Sequence, residues 1–360
     1  GSWQDKDYEA LGKLREVLQY PDPNTDWRAW KDDVAKQRLR PLTEHLDGVT
    51  QLIILPSERM AGIPIEALTD RYQISYAPSA TMFAWLQEHP KDFSKGSNAM
   101  LALADPVFSK EQAQLTLPAK DAQRLLVRGA LKPLPGTRGE ANAIAKLFDK
   151  SKVQLFTGAD ANSLNLDRLA ETKKLAQFRF LHLATHGFAD PKGGLNSFLA
   201  LAPENLALSS HDKLSAAHML RTWQLDADLV TLSACTTALG EYQGGEGYVG
   251  FSQALFLAGA HTVVVSQWPV HDLSTTLLME RFYENMLGAR PGLKGPMAKV
   301  QALSEARRWL RELTRAEALG RLKELGIAAN EKELVGEQPF EHPYFWAPFI
   351  LVGDPGMKAK

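Results

Sequence analysis

Two apolar stretches of this chain end on residues capable of covalent chemistry. Phe178-Arg-Phe-Leu-His-Leu-Ala-Thr-His186-Gly187 closes on a histidine–glycine pair, and Asp228-Leu-Val-Thr-Leu-Ser-Ala-Cys235 closes on the only cysteine. If the two are neighbouring parallel strands, both residues emerge at the carboxyl edge of the sheet, where open α/β sheets bind their ligands. There the imidazole takes the thiol proton and leaves a thiolate nucleophile. Gly187 has no side chain, so a substrate carbonyl can approach its backbone N–H, and the N–H of Cys235 supplies a second oxyanion donor. A nucleophile, a base and two donors suffice for acyl transfer from a peptide bond. Taken singly, each residue has a plainer reading. A lone cysteine is usually a small buried hydrophobe, and a strand-end histidine is usually a satisfied polar group.

Other candidates carry less. His182 and His186 are four apart, but in a strand they lie about 13 Å from each other, too far to share a metal ion. His182 is expected to be a core or supporting residue, and no metal or cofactor is expected. Gly245-Glu-Gly247-Tyr-Val-Gly250 fits a dinucleotide fingerprint, yet it stands too far from the preceding strand for a tight phosphate turn. A flexible loop beside the nucleophile accounts for it better. Ser233 lacks the elbow of a serine hydrolase and is expected inside a strand. Trp268-Pro-Val-His271-Asp272 offers an aromatic wall and a carboxylate, so Ser233, Trp268 and Asp272 are the candidate substrate-pocket residues. Asp272 also suits the start of a helix.

These residues need a scaffold, and the hydrophobic pattern supplies one. Apolar runs at 52–55, 72–76, 99–103, 153–156, 178–184, 198–201, 229–232, 262–265 and 349–352 read as buried strands. Between them, 79–88, 140–148, 163–174, 247–258 and 274–287 have helical spacing, and 303–325 reads as a docked helix with a solvated face. This alternation predicts an α/β fold with a doubly wound, mostly parallel sheet and helices on both faces. Residues 1–49 read as a helical extension, with Asp26 capping its second helix and Gly1-Ser2 read as the remnant of a cleaved tag. The Pro- and Lys-rich stretch at 105–135 is the best internal boundary, dividing 50–135 from 136–360.

Composition narrows the function. With 41 Lys and Arg against 42 Asp and Glu, the net charge is -1, which gives no basic face for nucleic acid or a membrane surface. One cysteine excludes an internal disulfide and CxxC chemistry, and no apolar run is long enough to span a bilayer. The scarce cysteine suits a reducing compartment, so the expected location is the cytoplasm.

The motifs around His186 and Cys235 resemble the CHAT domain, a caspase-like cysteine peptidase family often fused to TPR repeats. The likeness extends to Ile63-Pro64-Ile-Glu-Ala-Leu68, Leu103-Ala-Asp-Pro106, Leu134-Pro-Gly-Thr-Arg-Gly-Glu, Gln267-Trp-Pro-Val-His-Asp272 and Tyr344-Phe-Trp-Ala-Pro-Phe-Ile-Leu-Val-Gly-Asp354. The resemblance implies a caspase-like fold related to separase and gingipain, with residues 50–135 as a degenerate caspase-like half before the active one. It implies His186 as general base and Cys235 as nucleophile of an endopeptidase acting on a protein partner. It also implies control by an upstream TPR-like or sensor module or an activating partner. Relatives often carry Asn where this chain has Thr236, and an acid where it has His271. By analogy with separase, Asp272 would meet a basic side chain before the cut; some relatives instead prefer apolar residues there. The alternative expectation is a catalytically silent member that keeps the fold for protein binding.

Overall fold

The computed structural model describes residues 5–22, 25–55, 57–93, 99–109, 112, 131–190, 193–204, 211–234, 241–243, 247–329 and 331–356. The chain opens with helices α1 (Asp5–Gln19) and α2 (Trp27–Arg38), the second capped by Asp26, whose side chain accepts from Arg28 N–H. Strands β1 (Gln51–Ile54) and β2 (Gln73–Tyr76), helix α3 (Ala80–Glu88) and strand β3 (Met100–Pro106) follow. Next come α4 (Pro135–Ala145), β4 (Val153–Gly158), α5 (Ser163–Glu171), β5 (Phe180–Ala184) and β6 (Gly187–Phe188). After β7 (Phe198–Leu201) and β8 (Asp212–Ser215) lie α6 (Ala216–Thr222) and β9 (Leu229–Ser233). The hairpin β10 (Glu241–Gln243) and β11 (Gly247–Val249) leads into α7 (Phe251–Ala258) and β12 (Thr262–Ser266). Helices α8 (Asp272–Leu287), α9 (Lys299–Glu312), α10 (Arg315–Glu324) and α11 (Pro343–Trp346) precede the last strand, β13 (Phe349–Gly353).

One eight-stranded sheet, ordered β1-β2-β13-β12-β9-β5-β3-β4, organises the chain. Strands β12, β9, β5, β3 and β4 are parallel, and so are β13, β2 and β1; the two blocks meet antiparallel at β12 and β13. The expected mostly parallel sheet therefore contains one reversal. Its cause is the connection after β12, which makes two long helical passes, α8 and α9, and so returns the chain to the edge from which it left. One sheet takes strands from both sides of the expected boundary at residue 135: β1 and β2 form one end, while β3 inserts between β5 and β4.

Both faces are covered. On one, His182 of β5 and Thr231 of β9 meet Glu140 of α4 and Tyr283 of α8. On the other, α7 packs beside β12 and against α6. The central strands β3, β5, β9 and β12 are buried along their length, which explains their near-continuous apolar sequences.

The expected strands are present, with one difference in place. The 198–201 run belongs to a separate three-stranded antiparallel sheet, β6-β7-β8, beside the main one. The expected 303–325 helix is two helices. Leu313 caps the end of the first, and Thr314 opens the second through a capping box with Glu317.

Candidate active site

Strands β5 and β9 are parallel neighbours, with Ala184 paired to Ser233. Position 186 thus lies two residues beyond this last pair on one strand, and position 235 two residues beyond it on the other. His186 is described; Cys235 and Thr236 lie outside the described residues, where β9 is followed as far as the buried Ala234. The end of β9 is tied to the end of β12, because the Ser266 hydroxyl donates to the Ala234 carbonyl.

The imidazole of His186 is held by a backbone group. Its Nε2 lies 2.8 Å from the Lys132 carbonyl oxygen, which can only accept, so Nε2 carries the hydrogen and Nδ1 keeps the lone pair. The Phe108 ring stands beside it, with centroids 5.7 Å apart. Burial pushes the His186 pKa below its ordinary value, more than the Lys132 carbonyl raises it, and the nearby His211 adds to the depression. The ring is therefore neutral at physiological pH, the form a general base requires.

Gly187 opens β6 and pairs with Leu199. Ala200 N–H donates to the His186 carbonyl at 2.9 Å, which makes 187 and 199 a pair without mutual hydrogen bonds in an antiparallel ladder. The Gly187 N–H is consequently directed away from β7. That orientation is compatible with an oxyanion donor.

The three pocket candidates are placed differently from one another. Trp268 is fully buried, with Nε1–H donating to the Tyr344 carbonyl at 3.1 Å, so it packs in the core rather than lining an open wall. Ser233 is buried, and its hydroxyl has no hydrogen-bond partner among the described residues. Asp272 reaches solvent at the first turn of α8, behind the His271 cap. Packing against α4 at Gly136 and the carboxylates of Glu140, Glu333 and Asp105 crowd it. Desolvation first, and those carboxylates next, push its pKa up to about 6.

Sequence reasoning passed over several supporting groups. His182 is buried as expected, but its partners were not anticipated: Nε2 meets Glu140 at 2.9 Å, and Nδ1 faces the Tyr283 hydroxyl at 3.4 Å. Burial raises the Tyr283 pKa, so the phenol stays protonated. The Lys132 carbonyl has no sequence signal, since every residue carries one. Among the described residues no three His, Cys, Asp or Glu side chains gather as a metal site, and no helix is long and apolar enough to cross a membrane.

A doubly wound sheet presenting a histidine beside the strand that leads to the sole cysteine defines a class of α/β protein with a candidate thiol centre. The CHAT domain matches residues 33–354, and the chain belongs to that family. A curated relative, Tetratricopeptide repeat protein 28 of Mus musculus, is 27% identical over 140 residues, which is 39% of this chain and 4% of that protein. Among solved structures, the Arg-specific cysteine proteinase gingipain R is similar with a TM-score of 0.47 and 10% identity, covering 98% of this chain and 76% of its own. The Saccharomyces cerevisiae separase–securin complex gives a TM-score of 0.45 and 13% identity, covering 98% of this chain and 23% of the other.

Proposed function

We propose that the chain is a cysteine endopeptidase of CHAT type, with His186 as general base and Cys235 as nucleophile. The observation that carries this reading is the placement of a neutral His186, its Nδ1 lone pair uncommitted to the Lys132 bond, two residues past the last pair of β5 with the strand that runs to Cys235. Nδ1 takes the thiol proton, and the thiolate attacks the carbonyl carbon of the scissile bond. The oxyanion is met by the N–H groups of Gly187 and Cys235. As the C–N bond breaks, the imidazolium returns the proton to the leaving amine, and water then hydrolyses the thioester.

The substrate is a protein chain, and family membership favours control by an upstream TPR-like or sensor module. Asp272 is the pocket candidate that reaches solvent, and it would pair with a basic side chain before the cut. Trp268 and Ser233 act from beneath, as packing support.

The test is thiol labelling with a peptidyl electrophile, followed by N-terminus mapping of cleaved proteins. Rapid modification of Cys235 that is lost in His186→Ala, with protein cleavage lost in Cys235→Ala, is the expected result. A thiol inert in wild type and variant, with the activating module present, would leave the fold as a binding scaffold.

A further inference from the structure

The Lys132 carbonyl orients His186 from a segment without regular structure, and such a carbonyl can fix a ring only if it is itself held. Two side chains hold the residues on either side of it. On one side, Gln112 Nε2–H donates to the Leu131 carbonyl at 2.9 Å. On the other, Asp105 Oδ1 accepts from Leu134 N–H at 3.1 Å. We propose that Asp105 and Gln112 are positioning residues that clamp the chain on both sides of Lys132 and thereby set the tautomer and direction of His186. The inference rests on the reading of His186 as the base.

Each arm of the clamp is itself anchored. The Gln112 oxygen accepts from Phe108 N–H at 2.7 Å, and Gln112 N–H donates to the Ser109 hydroxyl at 3.2 Å. One buried amide thus fixes both the Leu131 carbonyl and the backbone of Phe108, whose ring flanks the imidazole. Asp105 Oδ2 meets Arg138 Nε at 2.9 Å, and Asp105 N–H donates to the Thr137 hydroxyl, which in turn donates to the Leu134 carbonyl at 2.7 Å. Leu134 is therefore held at both its N–H and its carbonyl.

The backbone of Asp105 points the same way. Its φ is 46°, in the left-handed region that non-glycine residues seldom occupy. Such a conformation persists only where surrounding contacts over-determine it, and it recurs at functional sites. Asp105 is the residue after Ala104, which pairs with Ala184 of β5. The clamp and the histidine thus leave adjacent strands at the same edge. A plain structural role would need only a closed turn, whereas this arrangement closes the turn around the carbonyl that bonds His186 Nε2.

The experiment uses the whole chain labelled with 15N-histidine. His186 is assigned by its absence in His186→Ala, and ring-nitrogen shifts report its tautomer in Asp105→Ala, Gln112→Ala and the conservative Asp105→Asn. Asparagine keeps an acceptor for Leu134 N–H and tolerates the left-handed backbone. In wild type the Nε2–H tautomer should dominate. In both alanine variants it should mix with Nδ1–H, kcat for a cleavable peptide should fall about tenfold or more with KM within about twofold, and Asp105→Asn should recover most of the loss. Gln112→Ala provides the folded test case if Asp105→Ala does not fold. A tautomer and kcat unchanged in a folded alanine variant would overturn the clamp even where His186→Ala abolishes activity. A tautomer that shifts in the variants of a chain that cleaves no peptide even with the activating module present would support the clamp and remove the peptidase reading instead.

Discussion

Asp228 stands at the amino end of β9, the edge of the sheet opposite His186, and its carboxylate meets two cations. Lys299 Nζ lies 2.5 Å from Oδ1, while Arg179 Nη2 and Nε lie 2.7 and 3.0 Å from Oδ2. Asp228 is 6% exposed and Lys299 5%, so Asp228→Asn would leave a nearly buried ammonium without its nearest counter-charge. Breaking a buried pair on one side typically costs about 3–5 kcal/mol. Here the lower end, about 3 kcal/mol, is expected, because Lys299 keeps Asp354 at 3.2 Å and the partly exposed Arg179 can turn to water. The pH dependence gives a second reading. Burial alone would raise the Asp228 pKa, but Lys299 and Arg179 outweigh it and hold the carboxyl below its ordinary range. A folded pKa below the unfolded one means the contribution is complete above pH of about 4 and lost as pH falls through the folded value. Urea unfolding followed by tryptophan fluorescence should show the variant weaker at pH 7, with a shallower loss of stability on acidification. Thiol labelling at the far edge should be unchanged. A variant within about 0.5 kcal/mol of wild type at pH 7, with the same acid profile, would refute the assignment of this triad as a buried, charge-paired anchor.

Three further outcomes are open to direct measurement. Asp272→Asn should leave stability unchanged below about pH 3.5, raise it progressively from about pH 4, and give its full gain above about pH 6, because a carboxyl held at about 6 in the fold and near 4 in the unfolded chain binds a proton the unfolded chain has already released. A carboxyl pKa raised from its ordinary value to about 6 corresponds to at most about 3 kcal/mol, and screening at this solvent-exposed side chain reduces the expected gain to about 1 kcal/mol, readable by urea titration at about pH 3.5 and about pH 8. Gly259→Ala should destabilise by about 3 kcal/mol or more, seen as a lowered thermal midpoint: φ is 113° and an added Cβ would lie 2.2 Å from the Leu225 carbonyl oxygen. Tyr283→Phe removes the hydroxyl 3.0 Å from Thr231 Oγ1 and facing His182, and should cost about 1–2 kcal/mol in chemical denaturation.

The ordered apolar runs made the sheet legible, because strands covered on both faces have no polar alternation to hide them. Leu229–Ser233 and Thr262–Ser266 were visible for that reason. Direction was not legible. Nothing in Phe349–Gly353 distinguishes a strand running with β12 from one running against it, and only the number of intervening helical passes decides. Short or polar elements also escaped: β8 reads Asp-Lys-Leu-Ser, with one fully buried side chain, and β6 has two residues. Trp268 looked like a pocket wall because a bulky aromatic beside proline at a strand end has the right composition. What composition does not carry is the side of the chain on which the ring turns, and here it turns inward to Tyr344.

At the candidate site the same division has a mechanistic consequence. The ladder between β5 and β9 fixes positions 184 and 233 opposite each other, yet His186 lies beyond the last rung, and so in sequence does Cys235. Strands can bring a base and a nucleophile to one edge, but they cannot aim an imidazole, whose direction is set by whatever bonds its second nitrogen. In this chain that bond is made by a backbone carbonyl in the irregular segment before α4, itself held by Asp105 and Gln112. The residues proposed to bear the chemistry stand out by their types and spacing, while the group that would aim the proposed base depends on which peptide unit the fold delivers. Any influence that moves the 131–134 segment would therefore act on His186 without altering the sheet. Such a route would allow the proposed base to be controlled while the core stays packed.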